Sequence, residues 1–175
     1  MKYRKETRRG DRKAVKVALY GILLSLAMLL GYVETLIPIS LGVPGVKLGL
    51  ANLVSIVSLY MIGTGGTIAI ALCRIVLLTG FAYGNMAMMM YSLAGGALSL
   101  AMMIFCRKRD LFGQVGVSII GGVGHNVGQI LVAAAVVENT AVFYYLPFLL
   151  AAGTVAGAVI GLLGGIVTKR LESYL

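Results

Sequence analysis

The residues able to do chemistry are few, and they lie in or beside apolar stretches. Lys47 opens one stretch, and Asn52 follows one turn and a residue later. Arg74 sits within another, Ala71-Leu72-Cys73-Arg74-Ile75-Val76. A third carries Ser118, His125, Asn126 and Gln129; Ser118, His125 and Gln129 fall at i, i+7 and i+11, one face of a helix. A guanidinium is always charged and presents a planar fork of donors, which suits a carboxylate, a phosphate or a group of carbonyls. His125, flanked by glycines that leave room, is the single histidine. Lys47 and Arg74 supply two cations, and no acidic residue falls inside any apolar run. We therefore expect Lys47, Asn52, Arg74, His125, Asn126 and Gln129 to converge on one chamber, positive in sign. Such a chamber suits a small anion, a carboxylate or a phosphorylated precursor.

Each of these residues also has a plainer role. Lys47 can snorkel to water from an interfacial position. Asn52 can make an interhelical hydrogen bond worth about 1 kcal/mol. Arg74 can pair with Glu34 or Glu138 if either folds inward from its loop. His125 can donate to a carbonyl of a neighbouring helix. Other chemistries lack their residues: there is no P-loop, no aspartate pair for Mg²⁺-assisted diphosphate chemistry, no Cys/His metal spacing and no readable Ser–His–acid set. Neither a metal nor a cofactor is expected, and the chemistry points to binding or transport.

The elements that must position these residues are membrane helices. Hydrophobic residues make up 59% of the chain and charged residues 12%, about half the share of a soluble domain. A water-soluble fold of this size could not bury that much apolar surface. Cys73 and Cys106 fall in different apolar runs and are expected as free thiols. The net charge of +9 raises nucleic-acid binding, but eight of the fifteen Lys and Arg residues fall in the first sixteen positions, directly before an apolar run. That placement fits the positive-inside rule and anionic lipid headgroups, and no base-stacking aromatic platform accompanies it.

Six apolar runs are expected to span: Val17–Val33, Leu48–Gly63, Thr67–Tyr83, Met86–Cys106, Leu111–Val137 and Ala141–Thr168. Thr64-Gly65-Gly66 is expected as the turn between the second and third. Those two runs are short, 16 and 17 residues against the roughly 20 of a simple span. Six crossings place the N-terminal arm, Arg107–Arg109 and Lys169-Arg170 on one side. Four crossings plus a re-entrant hairpin satisfy the charges equally; six are preferred because both short runs suit a thinned or protein-covered path. The expected architecture is an all-α integral membrane protein with both termini cytoplasmic. Residues 1–13 form a basic arm and 14–175 the six-helix domain. The apolar loop Pro38–Val46 is expected to cover the chamber from outside. Many glycines lie within the runs, and Gly153, Gly157 and Gly161 repeat at four-residue spacing, a pattern for close helix packing.

Four segments carry a resemblance across nearly the whole chain: Val43–Asn52, Arg74 in its run, Ser92-Leu93-Ala94-Gly95-Gly96, and Gly124-His125-Asn126-Val127-Gly128-Gln129. Together they resemble the family labelled heptaprenyl diphosphate synthase component I, also called the Gx transporter family. That family is similar to the substrate-binding S components of energy-coupling factor (ECF) transporters. The transporter label implies a six-helix S component that captures a small molecule from outside and works with a membrane T component and two ATPase subunits. The resemblance also implies a small-residue docking face for the T component, which Ala14 and Ala18 would supply, with Gly21 and Ser25 one turn further. The synthase label implies a membrane accessory to a soluble prenyltransferase making a long isoprenoid diphosphate for menaquinone. A structural subunit of a larger membrane complex is a third possibility.

Overall fold

Helices dominate because every backbone group inside a bilayer must be satisfied within its own segment. The computed structural model describes residues 2–36, 49–82 and 86–173. Helix α1 covers Lys2–Leu36, α2 Asn52–Met61, α3 Gly63–Ile75, α4 Met86–Lys108, α5 Gln114–Val137 and α6 Leu146–Glu172. A π-helical segment, Val76–Ala82, continues α3, and a 3-10 turn, Thr140–Tyr145, leads into α6. No strand occurs among the described residues. The all-α membrane architecture expected from the sequence is what the chain adopts.

Among the described residues, five helical stretches are long and apolar enough to cross a bilayer: Ala14–Glu34, Gly63–Gly80, Met86–Lys108, Gln114–Val137 and Thr140–Glu172. The third apolar run, short on the sequence, is therefore long enough once the π segment extends α3. Helix α2 is the exception. Its ten residues rise about 15 Å, half the hydrocarbon thickness. The expected turn at Thr64–Gly66 lies earlier, at Ile62–Gly63. Gly63 takes a left-handed φ of +82°, open to glycine at little cost, and residues 64–66 are already helical. The basic arm is not a separate coil: it continues into the first span as one 35-residue helix.

Helix α5 is the centre of the packing, held between α4 and α6. Glycines make the close approach possible on both faces. A Cβ on Gly128 would lie 2.5 Å from the Ala94 carbonyl oxygen of α4, and one on Gly122 would lie 2.4 Å from the Gly153 carbonyl oxygen of α6. Gly157 and Gly161 meet the α5 backbone at Ile119 and Val115 in the same way. The main apolar core joins Leu23 and Ala27 of α1, Ile56 and Leu59 of α2, Ile70 of α3, Met103 of α4, Val117 of α5 and Ile160 of α6. A smaller cluster of Tyr91, Ile130, Ala133 and Leu149 lies between α4, α5 and α6. Large apolar side chains such as Leu29, Val155, Leu162 and Ile166 are more than half exposed, as lipid-facing positions require.

Contacts between elements fix which ends share a side. Tyr20 of α1 reaches Gly66 at the start of α3. Arg107, near the end of α4, donates to the Leu59 carbonyl in the last turn of α2 and lies over the Tyr60 ring at 4.7 Å. Gln114 at the start of α5 donates to Thr168 of α6 at 3.1 Å. The basic ends of α4 and α6 therefore gather on one side, and the other end of α2 opens into the interior.

Candidate functional site

The short α2 creates the site. Its first turn begins inside the bundle, where Gly49 accepts the Asn52 N–H at 2.7 Å. Gly49 has φ +82°, and a Cβ there would press on Asn52 Nδ2 at 2.9 Å and His125 Cδ2 at 3.4 Å. Beside this turn is a cavity bounded by Gly31 and Glu34 of α1, Gly49, Arg74 and Ile75 of α3, Leu78 and Thr79 of the π segment, Ser92 of α4 and His125 of α5. Six segments of the chain thus contribute to its walls. The cavity is small, about 20 Å³, room for a single water.

Glu34 is the residue the sequence placed in an outer loop. It lies within α1, is only 8% exposed and accepts a hydrogen bond from the Gly49 N–H. Its carboxylate is also near enough to attract the Arg74 guanidinium. The site therefore holds an acid as well as a cation, unlike the purely positive chamber expected. This follows from α1 running on to Leu36, three residues past the apolar run's end at Val33.

Of the six expected binding residues, Arg74 and His125 line the cavity. Asn52 is 6% exposed, adjoins it through Gly49, and its Nδ2 has no hydrogen-bond partner among the described residues. Gln129 is fully buried behind His125, and both pack on Gly95 of α4, where a Cβ would lie 2.9 Å from Gln129 Cγ and 3.0 Å from His125 Nδ1. Asn126 faces α6 instead and donates to the Leu149 carbonyl at 2.7 Å. Lys47 and the Pro38–Val46 loop lie outside the described residues. Ser118, expected on the face of His125, packs against Gly161 of α6. The shared azimuth is real, but crossing helices give different neighbours at different depths.

Three cavity residues with polar side chains were not singled out from the sequence as binding residues. Glu34 was noted only as a loop acid able to fold inward. Ser92 stood in the resemblance segment without an assigned role. Thr79 carried no signal; the π segment brings it to the wall, and its hydroxyl donates back to Ile75 at 2.6 Å. Segments of this kind occur often at functional sites. No group of three or more His, Cys, Asp or Glu able to hold a metal occurs among the described residues. Cys73 is exposed and Cys106 buried, both as free thiols. Chemically, the arrangement can hold a small polar group between a carboxylate, a guanidinium, an imidazole and two hydroxyl-bearing side chains.

Fold and site together define a multi-pass helical membrane protein with a polar cavity inside the bundle. The chain belongs to the heptaprenyl diphosphate synthase component I family, whose model matches residues 23–167. Comparison with the curated proteins and with the solved structures gives no match. The family assignment agrees with the resemblance carried by the four sequence segments, and it implies a component that works with a protein partner.

Proposed function

We propose that this chain is the non-catalytic membrane subunit of a multi-component system, and that it binds a small polar molecule in the Glu34–Arg74–His125 cavity. The observation that carries this reading is the cavity itself: a charged pair and an imidazole are gathered where apolar side chains would be cheaper. Ionisable groups at membrane depth are costly enough to mark ligand or ion sites by default. In this reading the chain is an S-component-like subunit of an ECF-type transporter with both termini cytoplasmic. A T component and ATPase subunits are the partners in this reading. Ala14, Ala18, Gly21 and Ser25 support a docking face on α1, since all four are exposed.

The family's description favours a second reading, in which the partner is a soluble prenyltransferase and the chain is its membrane accessory in heptaprenyl diphosphate synthesis. One experiment separates the two. The tagged chain is purified from its native membranes in mild detergent and its companions are identified by mass spectrometry. A membrane T component with ATPases supports the transport reading. A soluble prenyltransferase without them overturns it in favour of the second.

A further inference from the structure

The cavity already contains an anion, and it is part of the chain. Groups able to donate a hydrogen bond converge there: the Gly49 N–H, three residues before α2, and the Arg74 guanidinium. An arginine fork matches a carboxylate in shape as well as charge. Glu34 supplies that carboxylate, reaching in from the last turn of α1.

We propose that Glu34 is a tethered competitor: its carboxylate occupies a carboxylate slot formed by the Gly49 N–H and Arg74, and a carboxylate-bearing ligand enters by displacing it. Three observations support this. With Glu34 seated, the space left is about 20 Å³, too little for an organic acid beside it. Asn52, buried to all but 6%, keeps an amide donor next to Gly49 without a partner among the described residues, a contact that the Glu34 carboxylate leaves unused. Glu34 is also two residues from the end of α1, so a rotamer change and opening of the last turn are enough to free the slot. The inference rests on reading the cavity as a ligand site, and it adds the class of ligand and a device that keeps the empty site satisfied. Without Glu34, the half-buried Arg74 guanidinium of the empty site would lose the carboxylate that attracts it.

Propionate reproduces the end of a glutamate side chain and is the probe. It is titrated calorimetrically into the detergent-solubilised wild type, Glu34→Ala and the double variant Glu34→Ala/Arg74→Gln. A competitor lowers the apparent affinity by the fraction of time it leaves the slot free. Propionate should therefore bind Glu34→Ala at least about tenfold more tightly than wild type, and the double variant should lose that gain. Equal binding to wild type and Glu34→Ala, or no binding to a folded Glu34→Ala, overturns the proposal. If Glu34→Ala does not purify as a monodisperse protein, Glu34→Gln is titrated instead, with the same order expected and the same results overturning it. Native mass spectrometry distinguishes the two levels of the argument. A small molecule retained by wild type but lost in Glu34→Gln makes Glu34 a direct ligand contact, which removes the competitor role and leaves the ligand site standing.

Discussion

Replacing Gly128 with Ala tests the packing that holds His125 in place. The new Cβ would lie 2.5 Å from the Ala94 carbonyl oxygen, 2.8 Å from its carbon and 2.9 Å from the Gly95 Cα. All three are backbone atoms, so no side chain can turn aside and α4 must move away from α5. Overpacking of this kind costs about 1–3 kcal/mol. Alanine's better helix propensity returns up to about 1 kcal/mol in a soluble helix. With the full return, the net expected loss is roughly 0–2 kcal/mol. Gly21→Ala is the control, because nothing lies within 4 Å of its Cβ and only the propensity gain applies. Gly95→Ala falls between, since two of its three close atoms belong to the His125 and Gln129 side chains. Cys106 is buried and reports unfolding through a thiol-reactive fluorophore, in a background where the exposed Cys73 is replaced by Ser. Thermal midpoints should rank Gly128→Ala lowest, then Gly95→Ala, then wild type, with Gly21→Ala equal or higher. A Gly128→Ala protein as stable as Gly21→Ala would refute the close α4–α5 approach.

Arg107→Ala should destabilise the bundle by about 1–3 kcal/mol, by removing a charge-assisted donor from the Leu59 carbonyl and a cation from the Tyr60 ring; the same thiol assay reads it, and an unchanged midpoint would remove the α4 clamp on α2. Asn126→Leu should cost about 0.5–1.5 kcal/mol by removing the interhelical hydrogen bond to the Leu149 carbonyl, yet leave ligand binding intact, because Asn126 faces α6; a selective loss of binding in a stable protein would contradict that placement. Ala14→Trp and Ala18→Trp should leave the isolated subunit folded and reduce recovery of its membrane partner. Undiminished co-purification would show that this face of α1 is not the docking face.

The sequence carried the architecture well because lipid makes a simple demand. Long apolar runs ending in Arg107-Lys108-Arg109 or Lys169-Arg170 can hardly be anything but membrane helices. It carried the interior less well, for local reasons. Hydropathy cannot show that the second run contains only a ten-residue helix, since an apolar segment in irregular form has the same composition. It placed the turn at Thr64-Gly65-Gly66, whereas one left-handed glycine, Gly63, was sufficient. It assigned Glu34 to a loop because charge usually ends a span; the helix runs on to Leu36, and the Gly49 N–H donates to the Glu34 carboxylate. Helical spacing grouped Ser118 with His125 correctly in azimuth, but only the crossing of α4, α5 and α6 decides which neighbour each meets. Arg74 was the most legible residue: a guanidinium in an apolar run had to have a partner, and the partner was in the chain.

The central claim is that the polar cavity holds a small molecule, and native mass spectrometry tests it most directly. Wild type and Arg74→Gln are purified in parallel from native membranes in mild detergent and released intact into the gas phase. Arg74→Gln keeps a hydrogen-bonding side chain and removes the charge, at an expected cost in ligand affinity of roughly 1.5–3 kcal/mol. The account predicts a discrete small-molecule adduct on wild type that is strongly reduced on Arg74→Gln. The same adduct in equal abundance on both proteins, or no adduct other than lipid on wild type, would contradict it.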